Sequence, residues 1–62
     1  MTTSERIKQA RRRGRITQEV LAELVGVSRA TVARWERGSS IPDVEQMEAI
    51  LEHCRALRRN GR

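Results

Sequence analysis

His53 and Cys54 are the only histidine and the only cysteine of this chain, and they stand side by side. On a helix, neighbouring residues point about 100° apart, so the two do not converge as a nucleophile and its base. Glu45, Glu48 and Glu52 share a helical face, but nothing in the sequence raises one carboxyl as acid catalysis requires. No Cys/His cluster has metal-ligand spacing and no glycine-rich phosphate loop is present. An enzyme, a metal, a cofactor and a small-molecule ligand are therefore not expected. What remains is arginine, which occurs twelve times against a single lysine, the composition of a G·C-rich coding sequence. A guanidinium is a rigid fork of donors suited to anions and to paired acceptors on a planar edge.

Positioning those forks is the task of two short helical patterns between Gln18 and Arg37. Leu21, Leu24 and Val25 recur at steps of three and four and form one apolar stripe. Thr17 precedes it as N-cap, Ile16 and Leu21 form a hydrophobic staple, and Gly26 supplies the left-handed stop. The same grammar repeats with Ser28 as N-cap, Val27 and Val32 as staple, and Gly38 as stop. Ala22 allows a close crossing, and Val32 and Trp35 take the inner face. Arg29, Ala30, Thr31 and Arg34 then face outward at the start of the second helix. This is a helix-turn-helix over residues 18–37, whose second helix is shaped to enter a DNA major groove.

On either side, a first helix is expected from about Ser4 to Arg13, with Ile7 and Ala10 inward and Gly14 breaking it. The run Arg12, Arg13 and Arg15 reads either as a cover for a phosphate backbone or as a solvated helix end. After Ser39-Ser40-Ile41-Pro42, Asp43 is an N-cap with Gln46 as its capping-box partner. Val44, Met47, Ile50, Leu51, Cys54 and Leu57 continue at helical steps, giving one amphipathic helix over about 43–58.

The quoted residues resemble the Cro and repressor, or XRE-like, family of phage and bacterial regulators from about Ile7 to about Leu51. The match lies in Thr17-Gln18, Leu21-Ala22, Gly26-Val27-Ser28, Val32, Trp35-Glu36-x-Gly38 and Pro42. The resemblance implies an all-α, lambda-repressor-like domain of four to five helices spanning residues 1–62. It implies an ion pair of Arg11 with Glu36, base reading by Arg29, Ala30, Thr31 and Arg34, and a backbone contact from Gln18; Thr17, Gln18 and Ser28 also sit at helix N-termini, whose free amides and positive dipole end suit a phosphate. Arg11, Arg37, Ser39 and Ser40 are flanking phosphate candidates. Two departures stand out: the family's loop glycine falls where Arg15 stands, and no Gly or Pro marks the break near His53 that precedes a fifth helix.

Charge agrees with a nucleic-acid partner. Thirteen basic residues stand against eight acidic ones, and the net +5 lies entirely in residues 1–42. With 62 residues the chain buries only about 60% of its unfolded surface, enough for one compact core. No apolar run approaches the roughly 20 residues of a membrane span, and no signal peptide opens the chain. Action in the bacterial or phage-infected cytoplasm, at the nucleoid, is expected. Cys54 reads as a small buried hydrophobe. The tail, however, has two readings: a cover for the core, or a dimer seam in which Cys54 and Leu57 meet a second subunit. The expected function is a sequence-specific double-stranded DNA-binding regulator, a repressor acting as a homodimer on a palindromic operator. The competing reading is an antitoxin-like or accessory protein whose partner is a polypeptide, marked by an apolar patch at Met47, Leu51, Cys54 and Leu57. Met1 and the polar Asn60-Gly61-Arg62 end fit either a complete protein or part of a longer repressor.

Overall fold

The computed structural model describes residues 2–60, so the Gly61-Arg62 end lies outside it. Four helices follow in order: α1 (Thr3–Gly14), α2 (Gln18–Val25), α3 (Arg29–Arg37) and α4 (Val44–Asn60). The described residues contain no strand. The core is small: Ile7, Leu21, Ala22, Val32, Trp35, Ile50 and Cys54, with Ala10, Ile16, Val25, Val27 and Met47 packed around it. Each helix sends at least one of these side chains inward, so removing any helix opens the core to water.

Local signals account for the helix ends. The Thr17 hydroxyl accepts from the Val20 amide and the Ser28 hydroxyl from the Thr31 amide, at 3.1 and 3.2 Å. Asp43 and Gln46 form a reciprocal capping box, at 2.7 and 2.9 Å, ahead of α4. Gly26 and Gly38 close α2 and α3 at φ of 87° and 84°. At Gly38 the closure is a Schellman motif, with Gly38 and Ser39 amides donating to the Trp35 and Arg34 carbonyls.

Helix α1 departs from expectation at both ends. Its cap is Thr2, which forms a capping box with Glu5 and adds a residue before Ser4. These bonds hold the Glu5 carboxyl below its ordinary pKa. Gly14 does not break the helix but is its last residue, and the left-handed turn falls on Arg15, at φ 60°. The Arg15 and Ile16 amides close the Schellman bonds to Arg12 and Arg11. An arginine thus holds a left-handed turn that glycine would take without penalty, keeping the turn in place at a cost in backbone strain.

Two further expectations are corrected. Leu24 lies 38% exposed, because α2 meets the core through Leu21, Ala22 and Val25, and Leu24 falls to the side of that contact. Val44 lies 74% exposed, one turn beyond the part of α4 that reaches the core through Met47, Ile50 and Cys54. There is no fifth helix among the described residues: α4 runs unbroken past His53 to Asn60. The core takes Cys54, 2% exposed, and leaves Leu57 half-buried. Of the two readings of the tail, Cys54 therefore belongs to the cover of the core and not to a seam. Its thiol pKa is pushed up by burial, the setting of an inert cysteine.

Candidate nucleic-acid interface

Helix α3 separates its residues sharply. Val32, Trp35 and Glu36 are buried, whereas Arg29, Ala30 and Arg34 are exposed and Thr31 is half-exposed. Arginine at three positions of a nine-residue helix would otherwise be free to wander. Here the capped N-terminus at Ser28 and the buried anchor at Trp35 fix the backbone that carries them. The Thr31 hydroxyl lies 2.9 Å from that of Ser28 and accepts from Arg34 Nη2 at 3.5 Å. It is thereby partly engaged within its own helix, while its methyl and the Ala30 methyl stay available.

The helix pair is held to α1 by a buried carboxylate. Glu36, only 6% exposed, accepts from Arg11 Nε at 2.7 Å and Arg11 Nη2 at 3.1 Å. Gln18 Nε2 adds a third bond to Glu36 at 3.1 Å, and Arg11 Nη1 donates to the Ile16 carbonyl at 3.0 Å. Burial pushes the Glu36 carboxyl upward, but the bonds from Arg11 and Gln18 outweigh it and leave the pKa below the ordinary value. The bond to Glu36 raises the Arg11 pKa, against the pull of its own desolvation. One charged cluster thus joins the end of α1, the start of α2 and the end of α3.

This arrangement redistributes the predicted anion contacts. Three of the five Arg11 N–H groups are committed inside the protein, which makes it a positioning residue, and its guanidinium also lines the groove that holds Arg12 and Gln18. The Gln18 amide likewise has one N–H committed to Glu36, and its side chain is half-buried at the head of α2. Thr17, Ser28, Arg37 and Ser39 are exposed and Ser40 is half-exposed. The arginine run of α1 splits: Arg12 joins a groove with Gln18, Arg29 and Arg37, whereas Arg13 turns toward α4, beside Arg55 and Arg58.

Lys8 and Ala33 also line the groove of Arg12, Arg29 and Arg37, and neither was foreseen as a site residue. The i,i+4 spacing of Lys8 and Arg12 was a usable signal for the first. Nothing short of the α1–α3 crossing identifies the second. The result is a basic groove at the junction of three helices, contiguous with the exposed face of α3, where two capped helix N-termini also lie.

Residues 7–56 match the model of the family described as helix-turn-helix. The chain belongs to the XRE-type helix-turn-helix family. Within it, the HTH-type transcriptional activator BcrR of Enterococcus faecalis is 38% identical over 50 residues, which are 81% of this chain and 24% of that protein. Repressor protein C2 of Salmonella phage P22 is 37% identical over 46 residues, 74% of this chain and 21% of that protein. The chain thus spans about a quarter of the length of these curated relatives. No solved structure matches it significantly. Among the described residues no helix is long and apolar enough to cross a membrane.

Proposed function

We propose that this helix-turn-helix chain is one domain, residues 1–62, that binds double-stranded DNA in a sequence-specific manner and regulates transcription. The observation that carries the reading is the division of α3, with its inner face locked by Val32, Trp35 and Glu36 and its outer face offering Arg29, Ala30, Thr31 and Arg34. Helix α3 enters the major groove, and Arg29 and Arg34 donate to guanine O6 and N7. The methyls of Ala30 and Thr31 pack on thymine. Lys8, Arg12 and Arg37, with Thr17, Gln18, Ser28, Ser39 and Ser40, meet phosphates along the flanks. The similar proteins are a transcriptional activator and a phage repressor by name, and this chain acts in repression, as a homodimer on a palindromic operator in the bacterial or phage-infected cell. The alternative of a polypeptide partner calls for a large exposed apolar patch around Met47, Leu51, Cys54 and Leu57, of which Cys54 is in the core and the other three are half-buried.

The test is selection from a randomised duplex pool at two salt concentrations. A two-fold symmetric, G-containing consensus with steep salt dependence is expected. Arg29→Ala and Arg34→Ala should each relax preference at one position and cost about 1–3 kcal/mol, while Arg37→Ala should weaken all sequences alike. Absence of any enrichment would overturn the reading.

A further inference from the structure

Helix α4 carries five charged residues at steps of three, four, three and four: Glu45, Glu48, Glu52, Arg55 and Arg59. At about 100° per residue they fall within a sector of about 80°, a single stripe, and all five are exposed. A shallow trough runs along most of this stripe, between half-buried Ala49 and Leu51. The order is acid, acid, acid, base, base. An acidic start and a basic end complement the helix dipole, but that effect fades within the first and last turns. It accounts for Glu45 and Arg59 and leaves Glu48, Glu52 and Arg55 unexplained.

Within one chain the stripe is electrostatically unfavourable. Glu48 and Glu52 are like charges at i,i+4, and so are Arg55 and Arg59. Among the described residues the only relief is a loose contact between Arg55 Nη1 and Glu52 Oε1 at 3.9 Å. A second copy laid antiparallel across the first relieves the Glu48 and Arg59 ends of it, while Glu52 comes to lie near its own counterpart, each beside the Arg55 of its own chain. Glu45 and Arg59 lie at equal distances on either side of Glu52, and Glu48 and Arg55 are centred within half a residue of the same point. A two-fold axis there sets Glu45 against Arg59 of the other copy and Glu48 against Arg55, each pair made twice.

We propose that the outer stripe of α4 is a self-complementary interface for a second copy of this chain, built from reciprocal Glu45–Arg59 and Glu48–Arg55 pairs. The inference rests on the homodimer reading above and replaces the Cys54–Leu57 seam with a surface that the core leaves free. Charge pairs on this stripe determine register and orientation more than strength, so association is weakened by salt.

The test is charge swapping followed by sedimentation equilibrium of the full chain. The variants are Arg55→Glu with Arg59→Glu, and Glu45→Arg with Glu48→Arg, with helicity checked by circular dichroism. Wild type self-associates, and each double variant alone associates about tenfold or more weakly, because attraction becomes repulsion in every symmetric pair. An equimolar mixture of the two variants recovers association as a heterodimer. Failure of the mixture to recover, wild-type association by either variant alone, or a wild type that stays monomeric up to about 1 mM overturns the proposal. Duplex binding measured on the same samples separates the two readings. Wild type that binds DNA without the charge-swap pattern refutes the interface alone, whereas charge-swap behaviour without any duplex binding refutes the DNA reading alone.

Discussion

Replacing Arg11 with methionine keeps an apolar stem of similar length and removes the cation that faces Glu36. The Glu36 side chain is only 5% exposed and that of Arg11 17%, so the carboxylate would stay buried with Gln18 as its remaining donor. Breaking a buried pair by removing one partner costs about 3–5 kcal/mol, and the partial exposure of Arg11 reduces this to about 2–4 kcal/mol. A chain of 62 residues has a total stability of about 3–9 kcal/mol, so the variant should lose a large part of it. Glu36→Gln, isosteric and neutral, should cost less, about 1–2 kcal/mol, because the ion left without a counter-charge is then Arg11, which is more exposed than Glu36 and keeps its bond to the Ile16 carbonyl. Urea denaturation followed by circular dichroism, with the double variant closing the cycle, measures the coupling. The pH profile supplies an independent check. In the wild type the Glu36 pKa is lowered below 4.5, so its contribution is present above that value and is lost as pH falls through the lower folded value. In Arg11→Met burial dominates and raises the folded pKa, so the penalty is full at neutral pH and is relieved on acidification. The gap between the two proteins should therefore narrow toward pH 4. A cost below about 1 kcal/mol, or parallel pH profiles, would refute the argument that this pair holds α1 to the helix-turn-helix.

Arg15→Gly should stabilise the chain by about 0.5–1 kcal/mol in thermal denaturation, since relief of the left-handed strain at φ 60° exceeds the entropy that glycine adds to the unfolded chain. Gly14→Ala should add about 0.5–1 kcal/mol, because the new methyl would meet the Cys54 backbone at ordinary contact distances of 3.5–3.6 Å and alanine favours the helix. Ser28→Ala should cost about 1 kcal/mol by removing the α3 cap, with equilibrium unfolding as the measure. Cys54 should react with a thiol reagent only as fast as the core opens, and reactivity that is insensitive to added denaturant would contradict its burial.

Most of the helical framework was legible in the residues themselves. Thr17, Ser28 and Asp43 act through bonds three residues away, and Gly26 and Gly38 through their own backbone angles, so these ends needed no knowledge of the rest of the chain. The α1 stop at Arg15 was obscured because a non-glycine residue holds the left-handed turn, a cost that only the surrounding packing sustains. Periodicity marked Leu24 and Val44 as apolar-face residues. It reports which side of a helix is greasy, but not where a neighbouring helix begins and ends, and both residues lie beyond that contact.

The outer face of α3 followed from sequence because it is what remains once Val32 and Trp35 are turned inward. Which cations join it did not follow. Arg11, Arg12 and Arg13 are consecutive and chemically identical, yet Arg11 is bound to a buried glutamate at the groove beside α3, Arg12 lines that groove exposed, and Arg13 lies against α4. A rotation of about 100° per residue separates their directions, and only the crossing of α1 with α3 and α4 decides what each direction meets. Gln18 was readable as a helix-start residue, but its bond to Glu36 spans 18 positions and exists only because α2 and α3 cross. By itself the sequence determined local geometry and the sidedness of each helix. Tertiary structure alone decided which charges are buried, which are shared and which are left facing a partner.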